Sequence, residues 1–193
     1  MDQNAIVLIV AIAIALAVAG WFVWRQQRSS RLRRRFGREY HHEVERAGST
    51  SRAEATLAAR EKRVARLHIT PLLAGEAARF ADAWDVIQTQ FVDAPHAAVR
   101  EADKVVGEVM LARGYPIGDF EQQVADISVD HPDVVMNYRA AREIAEQHAR
   151  GEASTEDLRQ AMVYYRALFR DLLDSPAERP ASTIAREHAR RGQ

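Results

Sequence analysis

The run from Ala5 to Trp24 reads AIVLIVAIAIALAVAGWFVW, twenty residues without a charged side chain. Coiled as a helix it spans about 30 Å, the hydrocarbon thickness of a bilayer. A helix packed on a water-soluble core keeps a polar stripe on its outer side, and this run has none. It therefore predicts a transmembrane helix over residues 5–24. Ala5, Ile6, Leu8, Ile12 and Leu16 would face hydrocarbon, and Trp21, Phe22 and Trp24 would anchor the interface. Ala11, Ala15 and Ala19 fall on one side of that helix beside Gly20. Small residues at this spacing let two helices approach, so a homodimer through that side is one expected partner arrangement.

A cleaved signal peptide is the rival reading, because Ala17-Val18-Ala19 resembles a cleavage site. The leading residues MDQN lack the positive charge of a signal peptide, and the apolar core is longer than such a segment needs. Orientation follows from the flanks. No Lys or Arg precedes the run, whereas Arg25, Arg28, Arg31, Arg33, Arg34, Arg35 and Arg38 follow it with no acidic residue among them. By the positive-inside rule residues 1–4 lie outside and everything after the helix lies in the cytoplasm of an inner membrane. The same arginines are candidates for contact with anionic lipid.

The formal net charge of zero conceals an asymmetry. From Arg25 to Arg46 eight Arg and three Glu give +5, and from Ala47 onward 19 basic and 23 acidic residues give −4. The one basic cluster adjoins the membrane, so nucleic acid is not an expected partner. Cysteine is absent, which excludes disulfides and thiol chemistry.

After the apolar run the periodicity is helical throughout, and the expected class is all-α. In the basic segment 25–46, Leu32, Phe36, Tyr40 and Val44 recur every four residues, a side suited to lying on headgroups, with Gly37 weakening the helix. Ser51 with Glu54 reads as a capping box that opens a charged helix over 51–69, expected to act as a stalk. Residues 70–174 carry four longer amphipathic stripes and one short one, a helical bundle domain. Gly114 stands where a helix stop requires a left-handed residue, Ser128 to Pro132 reads as a loop, and Asp130 reads as the cap of the helix after it. Residues 175–193 read as a disordered tail.

Motifs with a chemical signature are missing: there is no phosphate loop, nucleophile elbow or HExxH. Asp126, Asp130, His131 and Asp133 include ligand types for a divalent ion, but helix capping is a sufficient role for Asp130, and no metal or cofactor is expected. Adjacent His41 and His42 point to different sides of a helix and make a poor metal site. Trp84, Gln88, Tyr138, Arg139, Tyr165 and Arg166 pair aromatic and Arg side chains, the composition of a groove for a protein partner. The tips of buried Tyr and Trp equally need partners inside a bundle.

FGREY at residues 35–40 (with Arg35), Trp84 to Gln88, FVDAP at 91–95, RGYP at 113–116, SVDHP at 128–132 with Tyr138-Arg139, and TEDLR at 155–159 with Tyr165-Arg166 mark a resemblance. The chain resembles an uncharacterised bacterial family whose members pair a short N-terminal membrane segment with a helical soluble domain. The resemblance implies bacterial origin and that architecture, and it implies no reaction. The expectation is a non-enzymatic, single-pass inner-membrane protein presenting a cytoplasmic interaction domain. The alternatives are an enzyme whose site is assembled between helices, or a secreted helical protein released by cleavage.

Overall fold

The computed structural model describes residues 3–174, with side chains from Ile12 onward. The expected tail, residues 175–193, lies outside the described residues, as do the side chains of Ala5, Ile6, Leu8 and Ala11. Among the described residues there are seven helices and no strand: α1 (Gln3–Ala47), α2 (Thr50–Val64), α3 (Ala74–Gln90), α4 (Pro95–Ala112), α5 (Phe120–Asp130), α6 (Val135–Ala149) and α7 (Thr155–Asp174). The chain divides into two compact units, residues 1–58 and 59–193, and the division falls inside α2.

In the first unit α1 continues past the apolar run without a break until Gly37, where φ 49° and ψ −120° interrupt the helical path. Only glycine adopts that conformation without a steric penalty. Leu32, Phe36 and Tyr40 are buried, as are Glu39 and Glu43. The stripe expected to face headgroups is thus packed within protein, because apolar periodicity marks a side to be covered without saying by what. The start of α2 also differs from expectation. Ser49, not Ser51, accepts from the Arg52 amide at 3.4 Å, and Glu54 accepts from the Tyr40 hydroxyl at 3.0 Å. On α2, Ala53 and Leu57 are buried in this unit, and Arg60 and Val64 are buried in the second.

The second unit is the bundle. α7 packs on both α4 and α6, α3 lies on α4, and α5 on α6. α7 supplies Leu158, Ala161, Met162, Tyr165, Leu168, Phe169 and Leu172 to the core at three- and four-residue steps. α4 answers with Ala98, Val99, Ala102, Val105, Val106, Val109 and Met110. The small residues Ala98 and Ala102 let the helices come close. α7 opens on a capping box, with the Asp157 amide donating to Ser154 Oγ at 3.2 Å and the Ser154 amide to Asp157 Oδ2 at 2.8 Å.

α4 stops as its sequence demands. Gly114 has φ 97°, the Tyr115 amide donates to the Met110 carbonyl at 3.0 Å, and the Gly114 amide to Leu111 at 2.9 Å. This pair of bonds is the Schellman arrangement. A Cβ at Gly114 would lie 2.3 Å from the His68 carbonyl oxygen, so the glycine also admits a close backbone approach. The region 128–132 differs from its expected loop. α5 runs through Asp130, whose carboxylate accepts from the Tyr115 hydroxyl at 2.9 Å, and α6 begins only at Val135. Asp130 therefore closes α5, and the N-cap position of α6 is Val134.

Candidate functional site

The first candidate is the exposed part of α1. Every residue from Ile12 to Arg28 is exposed, on all sides of the helix. Leu16 is 68% exposed, Trp21 53%, Phe22 62% and Trp24 57%, values that leave these side chains uncovered by the protein. Ala15 and Ala19 are exposed with them. Among the described residues no helix is long and apolar enough to cross a membrane. Within the run, Ile12 to Trp24 are the residues with described side chains, about 20 Å of helix at 1.5 Å per residue.

Below that run the arginines take distinct places. The Arg25 guanidinium lies over the Trp21 ring at 5.4 Å and the Arg28 guanidinium over Trp24 at 5.7 Å. Arg33 lies over Tyr40 at 5.2 Å, and Arg34 Nε donates to the Ser30 carbonyl at 3.4 Å. Arg31 and Arg38 are exposed and Arg35 is half-buried.

The six residues considered for a partner groove separate into two groups. Trp84, Tyr138 and Tyr165 belong to the core. Trp84 stacks on Phe169 with centroids 4.6 Å apart, and Tyr138 meets Tyr165 edge-on at 6.4 Å. Their polar companions lie nearer the surface: Arg166 donates to Gln88 Oε1 at 3.5 Å, and Arg139 to Glu121 at 3.5 Å. Each tyrosine and the arginine after it lie about 100° apart on one turn, so the rings turn into the core while the arginines reach the surface.

A polar cleft of about 240 Å³ opens between α4, α5 and α6, lined by Asp103, Gly107, Gly118, Phe120, Gln123, Tyr138 and Arg142. Asp103 accepts from Arg142 at 2.7 Å with one oxygen and from the Tyr165 hydroxyl at 3.0 Å with the other. The Arg142 guanidinium sits 5.6 Å over Phe120, and Tyr138 donates to Gln123 Oε1 at 3.3 Å. Burial raises the Tyr165 and Tyr138 phenols well above the ordinary tyrosine range, and the Asp103 charge raises both further. Both phenols therefore stay protonated. The cleft presents a carboxylate that accepts from two donors beside phenols that stay protonated.

A second polar knot surrounds the end of α5. Arg63 Nε donates to Asp126 Oδ1 at 2.8 Å, where Gln122 Nε2 also donates at 2.8 Å. Arg60 donates to Ser128 Oγ at 3.2 Å, and Ser128 donates to the Ala125 carbonyl at 2.8 Å. His131 Nδ1 is hydrogen-bonded to Asp171, and the buried Arg113 reaches the carbonyl of Leu172. That bond satisfies a carbonyl in the last turn of α7, which has no partner within the helix. Burial, then the charge of Asp130, raises the Tyr115 phenol far above its usual range. The residues weighed as metal ligands are thus directed to separate partners: Asp126 to Arg63, Asp130 to Tyr115 and His131 to Asp171. Among the described residues no group of three or more His, Cys, Asp or Glu could hold a metal ion.

The RGYP and SVDHP motifs meet in this knot, with Tyr115 on Asp130 and its ring edge-on to His131 at 6.2 Å. Arg113, Arg60 and Asp171 were missed from the sequence because their partners lie 40 to 68 positions away. The sequence signal was available in one form only, the high polar content of two motifs flanked by core stripes. No family model matches the chain, and no curated protein or solved structure matches it either.

Proposed function

We propose that the chain is a single-pass protein of the bacterial inner membrane. Its N-terminus is outside, and its cytoplasmic helical body binds a protein partner without catalysing a reaction. The observation that carries this reading is the state of α1. From Ile12 to Trp24 thirteen apolar residues are exposed around the whole helix, and they are followed at once by arginines. Water would leave that surface unfavourably hydrated at roughly 25 cal/mol per Å², whereas lipid chains cover it on all sides without requiring a fitted groove. Ala5 to Ala11 extend the same composition to bilayer length.

The partner-binding half of the proposal rests on the α3–α7 edge. There the half-buried Gln88 and the exposed Arg166 meet above the buried Trp84 and Tyr165. Arginine beside aromatic packing is the composition found at binding hot spots. A reporter active only in the periplasm, alkaline phosphatase fused after Asp174, should be inactive. Strong activity would reverse the topology. Intact mass of the mature chain distinguishes the exported alternative, which requires a start near Gly20.

The polar cleft favours a second reading, an enzyme with its site between helices, since small-molecule sites gather polar groups in a concavity. Its Asp103 accepts from two donors and its phenols stay protonated, so a binding role suits the cleft better than acid–base chemistry. Crosslinking of the full chain in membranes, read with and without Arg166→Ala, tests the partner-binding half. A product that persists undiminished in the variant would move the interface elsewhere.

A further inference from the structure

We infer that one side of α1, formed by Trp21, Trp24, Arg25 and Arg28, binds the phosphate of an anionic phospholipid. The inference rests on the membrane reading and narrows it from a basic flank to a site. These four positions are spaced i, i+3, i+4 and i+7, so they share one side of the helix. Each guanidinium lies over the indole one turn earlier, at 5.4 Å and 5.7 Å, within the range of a cation–π contact.

Stacking occupies the face of a guanidinium and leaves its planar fork of N–H donors at the edge, the geometry that matches phosphate oxygens. No acidic residue occurs between Asp2 and Glu39 to compete for those donors along the chain. The other side of the same turns carries Val23, Gln26 and Gln27, which are uncharged, so the positive charge is one-sided.

The apolar surface decides the occupant. Toward the N-terminus on the same side Ile14 and Val18 are exposed, and a lipid supplies acyl chains to that surface and a phosphate to the arginines together. A free phosphate engages only the second of these. Arg33 and Arg34 lie further along α1 and on the opposite side, and serve as an internal comparison of equal charge.

The test uses the full chain reconstituted in phosphatidylcholine vesicles, with the same minor fraction of either brominated phosphatidylglycerol or brominated phosphatidylcholine. Bromine quenches Trp21 and Trp24, while Trp84, stacked on Phe169, gives a background measured in a W21F/W24F variant. Brominated phosphatidylglycerol should quench more strongly, reflecting local enrichment of up to about fivefold per arginine. R25Q/R28Q should remove the excess and keep the quenching by brominated phosphatidylcholine, and R33Q/R34Q should keep the excess. Equal quenching by both lipids in the native chain overturns the site and leaves the anchor standing. Equal loss in R33Q/R34Q, or loss of the excess on adding inorganic phosphate, also overturns it. No quenching by either lipid removes the anchor and the site with it.

Discussion

Alanine at Gly114 tests whether the end of α4 is held by a close backbone approach. Two terms act on Gly114→Ala. The residue has φ 97°, a conformation that strains any L side chain by about 1–3 kcal/mol. The new Cβ would also sit 2.3 Å from the His68 carbonyl oxygen, against a comfortable separation of about 3.5 Å. Backbone, not a flexible side chain, must then move by about 1 Å, and the bond from the Thr70 amide to the Arg113 carbonyl, 2.9 Å long, is the nearest contact to break. A lost hydrogen bond of that kind is worth about 0.5–1.5 kcal/mol. The variant should lose about 2–4 kcal/mol in all. Gly151→Ala isolates the second term, because Gly151 has φ 75° with nothing within 4 Å of its Cβ position. Urea unfolding of the full chain in detergent, followed by circular dichroism, should show Gly114→Ala less stable than Gly151→Ala by about 1 kcal/mol or more. Equal losses would refute the close approach, and a loss below the strain term alone would refute the left-handed stop.

The buried Leu168 on α7 makes Leu168→Ala a cavity variant that should lose about 2–5 kcal/mol by the same assay, while Val163→Ala, 40% exposed on the same helix, should stay within about 0.5. Tyr115, Tyr138 and Tyr165 all have phenols raised above the unfolded value of 10, so their contribution is complete below pH 10 and lost as pH climbs toward the folded values. Stability should then fall above pH 10 by up to about 4 kcal/mol per pH unit for three protons, and absorbance at tyrosinate wavelengths should show these three ionising only with unfolding. Their ionisation near pH 10 in the folded chain would contradict the burial. At the cleft, Asp103→Asn and Tyr165→Phe should couple by about 0.5–3 kcal/mol in a double-mutant cycle, since they share a 3.0 Å hydrogen bond. Additive losses would mean that bond contributes nothing.

The stripes on α3, α4 and α7 were legible because burial of one helix side forces apolar residues into three- and four-residue steps. Gly114 was legible because few residues tolerate its conformation. What covers a stripe was not. Leu32, Phe36 and Tyr40 read as a side for headgroups, and the structure buries them in protein instead. Short polar residues were ambiguous for a related reason. Asp130 two residues before a proline looks like a cap, but the acceptor role for Tyr115 depends on the end of α5 meeting the segment after α4 in space. The pairs Arg63–Asp126 and His131–Asp171 leave no local trace, because a long-range hydrogen bond imposes no period on the sequence between its members. The apolar run at the start of α1 stands apart: its composition was evident in the sequence, the structure leaves Ile12 to Trp24 exposed, and among the described residues no helix is long and apolar enough to cross a membrane.

Alkaline carbonate extraction of membranes carrying the native full-length chain bears most directly on the anchor. The chain should remain in the pellet, and a variant with Ile14→Glu and Val18→Glu, both at exposed positions, should move to the supernatant. Release of the native chain by carbonate, with its N-terminal apolar run intact by mass, would contradict the account.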